Sequence, residues 1–172
     1  MFRGSAAAKI DEKGRLKVPS KFREVLRQNY GAQVFMTSFG NPSLKVYPLS
    51  EWIRNEKTLR EGQYAEDPVV NRFLTTVGRY GDEQEVDGQG RLFIPQHIRK
   101  HTRMDGDVVI IGHATGVLEV WNEEVLNEYE AREPLTEDAV RYVSKILREA
   151  RDGSGTSPRS GDGSGGGGGP SS

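Results

Sequence analysis

The chain has 172 residues, 34% of them hydrophobic and 28% charged, with a formal net charge of −1, a profile that suits one compact domain or two small fused units. It has no cysteine, which excludes disulfides, thiolate zinc sites and cysteine nucleophiles. No apolar run nears the roughly 18 residues of a membrane span, and Met1-Phe2-Arg3-Gly4-Ser5 leads into a charged segment without a signal-peptide core, so a cytoplasmic protein with no membrane contact is expected. The charge is unevenly spread. Residues 1–27 carry eight Lys/Arg against three acids, a net +5, while residues 123–152 carry five against nine, a net −4.

In chain order, a short strand is predicted to end at Asp11. Asp11-Glu12-Lys13-Gly14 is a turn in which glycine supplies a positive φ. Arg15-Leu16-Lys17-Val18 is the return strand, whose alternation sets Arg15 and Lys17 on one face and Leu16 and Val18 on the other. Pro19 ends the ladder and opens a helix with Phe22, Val25 and Leu26 at i, i+3, i+4 spacing. A second hairpin, Gln33 to Thr37 and Leu44 to Tyr47, flanks Gly40-Asn41-Pro42. Asp67-Pro68 then starts a helix expected to carry Val69, Val70, Phe73, Leu74, Val77 and Tyr80 on one stripe.

The pattern then recurs. Val86-Asp87-Gly88-Gln89-Gly90-Arg91-Leu92-Phe93-Ile94-Pro95 repeats Ile10 to Pro19 at an offset of 76. Arg79 and Arg99 match Arg3 and Arg23 at the same offset. Leu118-Glu119-Val120-Trp121 matches Leu44-Lys45-Val46-Tyr47 at an offset of 74. Another hairpin is expected from Val108 to Ile111 and Val117 to Trp121, around Ala114-Thr115-Gly116. With about four short strands each, neither unit closes a barrel alone. A last helix starts near Thr136 and carries Ala139, Val140, Val143, Ile146, Leu147 and Ala150. The expected organisation is repeat 1 over 5–50, a helical connector over 51–80, repeat 2 over 81–124, a helical segment over 125–152 and a disordered Gly/Ser tail over 153–172.

An arginine just past a rigid turn presents a planar fork that suits guanine O6 and N7, or a phosphate. Asp11 and Asp87 sit across the same turns as Arg15 and Arg91, where they can accept bonds from turn amides and orient the guanidinium. Lys9, Lys13 and Lys17 suit phosphate contacts. The second copy has Gln89 and Phe93 in place of Lys13 and Lys17, so the first is expected to supply phosphate attraction and the second base or shape readout.

One Asp-x-x-Gly-Arg run is also what a plain turn with an ion pair would show. Two in register, each followed by Pro and then Arg, resemble the AbrB-type (SpoVT-AbrB) swapped-hairpin DNA-binding family in its tandem-repeat form, over roughly residues 1–150. The resemblance implies an α+β, β-rich fold: a pseudo-two-fold swapped-hairpin, double-psi-like barrel from two tandem repeats with flanking helices. It implies a DNA-contacting surface containing Arg15 and Arg91, with Asp11 and Asp87 as the matching acids; by their own chemistry Arg3, Lys9, Lys13, Lys17 and Gln89 are expected to join that surface, and Gly14 and Gly90 to serve with the aspartates as turn and orienting residues. It also implies a nucleoid-associated repressor that binds double-stranded DNA at direct repeats upstream of its own operon, in the division and cell-wall gene cluster, as a ring-shaped homo-oligomer. An AbrB-like antitoxin or protein-interaction module is the rival, and a purely structural ring a third reading.

No cofactor or metal is expected. His97 and His101 have ligand spacing, but Arg99 and Lys100 between them repel a cation, and His113 has no functional reading. Neither a dinucleotide loop nor a P-loop is present and no Ser-His-Asp set can be argued, so an enzyme is not expected. Trp52 and Trp121 are expected in the core or at a subunit interface.

Overall fold

A computed structural model describes residues 1–153, which form two compact units, Met1–Arg132 and the segment from Glu133 on. The expected Gly/Ser tail lies, from residue 154 on, outside the described residues.

The first unit holds eight strands: β1 (Gly4–Ile10), β2 (Arg15–Lys17), β3 (Gln33–Thr37), β4 (Leu44–Pro48), β5 (Asp82–Glu85), β6 (Arg91–Phe93), β7 (Gly106–Gly112) and β8 (Leu118–Asn122). Around them lie α1 (Ser20–Asn29), α2 (Leu49–Arg60), α3 (Pro68–Arg79), α4 (Gln96–Thr102) and α5 (Glu123–Arg132). Pro19, Pro48 and Pro95 each stand at the boundary where a strand gives way to α1, α2 or α4, because proline cannot donate to a ladder but its φ suits a helix start.

The strands form one antiparallel sheet in the order β5-β3-β4-β8-β7-β1-β2-β6, and β5 returns beside β6, nearly closing the barrel. The repeats interleave. β1 of the first half pairs along its whole length with β7 of the second, from Gly4 opposite Gly112 to Ile10 opposite Gly106. The related pairing joins β3 and β5, with Val34 opposite Gln84. Strands β1, β2, β3 and β4 of the first half each take a neighbour from the second, so the fold is the tandem swapped-hairpin barrel that the resemblance implies.

The pseudo-two-fold axis emerges at two places. Between β2 and β6, Leu16 faces its own counterpart Leu92. Between β4 and β8, Lys45 faces its counterpart Glu119. The core follows the same symmetry: Ile10 and Val86, Val18 and Ile94, Phe22 and Ile98, and Val34 and Val108 are buried in matched pairs. Leucine can face leucine, whereas identical charges facing each other in a low-dielectric site would repel. Here the two copies have opposite charges. Lys45 Nζ lies 3.5 Å from Glu119 Oε1, with only 15% and 14% of the side chains exposed. The Ser43 hydroxyl (2.6 Å) and the Asn41 amide (3.2 Å) also donate to Glu119. Burial pushes the Glu119 carboxyl up, but the Ser43 hydroxyl, the Lys45 charge, His113 and Asn41 together hold it below its ordinary value. Burial pulls Lys45 below its own ordinary value, and Glu119 only partly offsets this.

The helices depart from expectation in places. Along α3 only Val77 is buried, Val70, Phe73, Leu74 and Tyr80 are half-buried, and Val69 is 76% exposed. Asp67 caps the amides of Val69 and Val70, and in that first turn Val69 points away from the sheet. Trp52 on α2 is buried against Phe35, with ring centroids 4.5 Å apart, and Trp121 is buried beside Tyr129 at 5.1 Å. In the second unit α6 (Glu137–Gly153) begins where Thr136 Oγ1 accepts from the Ala139 amide. Its Val140, Val143, Ile146 and Leu147 lie on one stripe and are exposed. Among the described residues no helix is long and apolar enough to cross a membrane.

Candidate nucleic-acid interface

Each turn is built around one carboxylate. The Asp11 amide donates to the Arg15 carbonyl at 3.0 Å, and the Gly14 amide donates to the Asp11 carbonyl at 2.9 Å. Asp11 Oδ1 accepts from the amides of Lys13 (3.0 Å) and Arg15 (2.9 Å), while Oδ2 accepts from Arg15 Nε at 2.7 Å. The second turn repeats every bond. Asp87 Oδ1 accepts from the amides of Gln89 and Arg91, both at 2.9 Å, and Oδ2 accepts from Arg91 Nε at 2.9 Å. Gly14 (φ +79°) and Gly90 (φ +74°) occupy the left-handed region that the bend requires.

The Arg15 amide lowers the Asp11 carboxyl most; burial pushes it up, but the amide together with the Arg15 guanidinium and the Lys13 amide holds it below its ordinary value, and Arg91 and the Gln89 amide act likewise on Asp87. Each aspartate ties down the Nε edge of its arginine. No other bond holds either guanidinium among the described residues, so the Nη1 and Nη2 groups remain available to a bidentate acceptor.

The β2–β6 ribbon puts the two arginines on one side. Arg15 is opposite Phe93, and Lys17 is opposite Arg91. These four point outward, while Leu16 and Leu92 fill the core beneath them. The rungs that carry Arg15 and Arg91 are two residues apart, about 7 Å along the ribbon. Lys17 Nζ donates to the Gln89 carbonyl, a bond between repeats that Phe93 cannot mirror. Continuing the Ile10–Leu16 register by one residue sets Lys9 beside Lys17, with Asp107 on its other side at 3.7 Å. Lys13 and Gln89 occupy the turns at opposite ends of the ribbon. Arg3 stands apart: it precedes the seven-residue β1, whose far end carries the first turn, so roughly 24 Å of strand separates them.

The histidines have other places. The His101 ring stacks on Tyr80 with centroids 3.8 Å apart, and His113 Nε2 lies 3.1 Å from Glu119 Oε2. No group of three or more His, Asp or Glu side chains among the described residues is arranged to hold a metal ion.

The interleaved barrel and its two matched Asp-oriented arginines define a tandem-repeat protein of the AbrB type. Within that class the chain belongs to the MraZ family: the model described as "MraZ protein, putative antitoxin-like" matches residues 1–69 and 80–145. It is 38% identical over 146 residues to the "Transcriptional regulator MraZ" of Acidobacterium capsulatum, covering 85% of this chain and 99% of that one. To the protein of the same name from Koribacter versatilis it is 34% identical over 147 residues, with coverage of 85% and 99%. To that from Neisseria meningitidis it is 36% identical over 124 residues, with coverage of 72% and 82%.

Proposed function

We propose that this protein is a sequence-specific DNA-binding transcription regulator that represses its own operon in the division and cell-wall gene cluster. The observation that carries this reading is the placement of Arg15 and Arg91 on one outward face, each held at Nε by an aspartate. Such forks lose little freedom on binding and can enter the major groove, where arginine reads guanine. Lys9, Lys13 and Lys17 add phosphate contacts that set register without selecting sequence. Gln89 and Phe93 give the second copy a less charged surface, suited to base or shape readout. The relatives' printed name, transcriptional regulator, supports the same reading.

One ribbon covers few base pairs, and a handful of phosphate contacts binds weakly and with strong salt dependence. A ring-shaped homo-oligomer on repeated short boxes would raise affinity through effective concentration, and the apolar stripe of α6 offers it a contact surface.

The test is a gel shift on a duplex from the protein's own upstream region, with wild type, Arg15→Ala and Arg91→Ala, and with the mass of each measured in solution. Each variant is expected to lose about 1–3 kcal/mol of binding while keeping the wild-type mass. Wild-type affinity in both variants would overturn the reading.

A further inference from the structure

The space where a side chain would stand on either turn glycine is filled by an arginine of the other repeat. A Cβ built on Gly14 would lie 2.6 Å from Arg99 Nε and 2.8 Å from Arg99 Cζ, and one built on Gly90 would strike Arg23 Nη1 and lie 2.8 Å from Arg23 Cδ. Arg99 follows Pro95 on α4, and Arg23 follows Pro19 on α1. Each guanidinium therefore covers the turn glycine of the opposite repeat. Backbone bonds close the arrangement: the Ile94 amide donates to the Gly14 carbonyl at 2.8 Å, and the Val18 amide to the Gly90 carbonyl at 2.9 Å. On one side the loop is complete, because Arg99 Nε also donates to the Ile94 carbonyl at 2.9 Å.

We propose that Arg99 and Arg23 are positioning residues that brace the hairpins crosswise, Arg99 fixing the turn that presents Arg15 and Arg23 the turn that presents Arg91. The proposal rests on the DNA-binding reading above. A planar guanidinium can lie flat on a glycine while a nitrogen at its edge bonds a carbonyl. A lysine ammonium is a point charge and cannot do both. The brace sets the angle and separation of the two forks, and it accounts for the absence of a side chain at Gly14 and Gly90 as well as their positive φ. Because Arg99 has the additional carbonyl bond, the first turn is the more firmly held.

Double-mutant cycles on the same upstream duplex test it, with thermal unfolding of each variant as a control on folding. Arg99→Ala should weaken binding about tenfold, an effect like that of losing one fork. Combined with Arg15→Ala it should add almost nothing, and combined with Arg91→Ala it should multiply in full. Arg23→Ala should show the reverse pairing with a smaller loss. Arg99→Lys, which keeps the charge, should bind no better than Arg99→Ala. Full multiplication in every pairing, or rescue by lysine, would mean that these arginines contact phosphate directly, and would overturn the brace. If Arg99→Ala fails to fold, the cycles with Arg99→Lys decide by the same criterion. If neither Arg15→Ala nor Arg91→Ala weakens binding, the DNA reading fails, and the absence of single-mutant effects distinguishes that outcome.

Discussion

The two repeats agree where the backbone must bend and differ at one outward rung and at one of the two places where a residue meets its own counterpart. Asp11 and Asp87, Gly14 and Gly90, and Arg15 and Arg91 make the same bonds to within a few tenths of an ångström. Lys17 and Phe93 occupy equivalent outward positions with different chemistry, and Lys45 and Glu119 meet on the axis with opposite charge. Two identical chains could not place a cation opposite an anion at a point of self-contact, because both would carry the same residue. Joining the copies into one chain removes that restriction, and the axial ion pair uses the freedom.

The sharpest way to break this contrast is at the axis. Lys45→Glu would bury two facing carboxylates and should cost about 3–5 kcal/mol, read by urea unfolding. The exchange Lys45→Glu with Glu119→Lys should recover most of the loss, since related positions have related surroundings. A double variant as unstable as the single one would show that the two sides are not equivalent.

Acid titration probes what the repeats share. The carboxyls of Asp11 and Asp87 lie below 3.8 in the fold. A lowered folded value means that the turns' stabilisation is complete above the unfolded value and is lost as pH falls through the folded one. Carbon NMR of both side chains should find midpoints below the ordinary value, and a midpoint at or above it would show that the turn amides do not hold the carboxylate in solution.

The smallest effect concerns what separates them. Phe93 is 45% exposed, so Phe93→Lys should change stability by no more than about 0.5 kcal/mol. It should nevertheless steepen the salt dependence of DNA binding by about one phosphate contact. An unchanged slope would mean that this rung does not face the backbone.

Much of this was legible in the residues because the duplication supplied a second reading of each motif. The turns, the alternation of Arg15 and Lys17 against Leu16 and Val18, and the proline-led helices follow from local rules, and the structure has them. The pairing of β1 with β7 is not local, since periodicity carries no information about which strand lies alongside. The brace was half visible: Arg23 and Arg99 match at the repeat offset, but their partners are glycines of the opposite copy. The axial pair left a trace in the aligned opposite charges of Lys45 and Glu119, which alignment alone does not place face to face. Val69 fits the α3 stripe by its spacing yet is exposed, because apolar identity alone does not place a first-turn residue against the core.

The interleaving also bears on how the chain acquires its shape. The partner of Gly4 is Gly112, so during synthesis the first strand must wait for more than a hundred residues to follow it. At about 5–20 residues per second, that leaves an open edge for several seconds or longer, and the small side chains of Ala6, Ala7 and Ala8, with Lys9 beside them, give a competing strand little to grip while the nascent chain is incomplete.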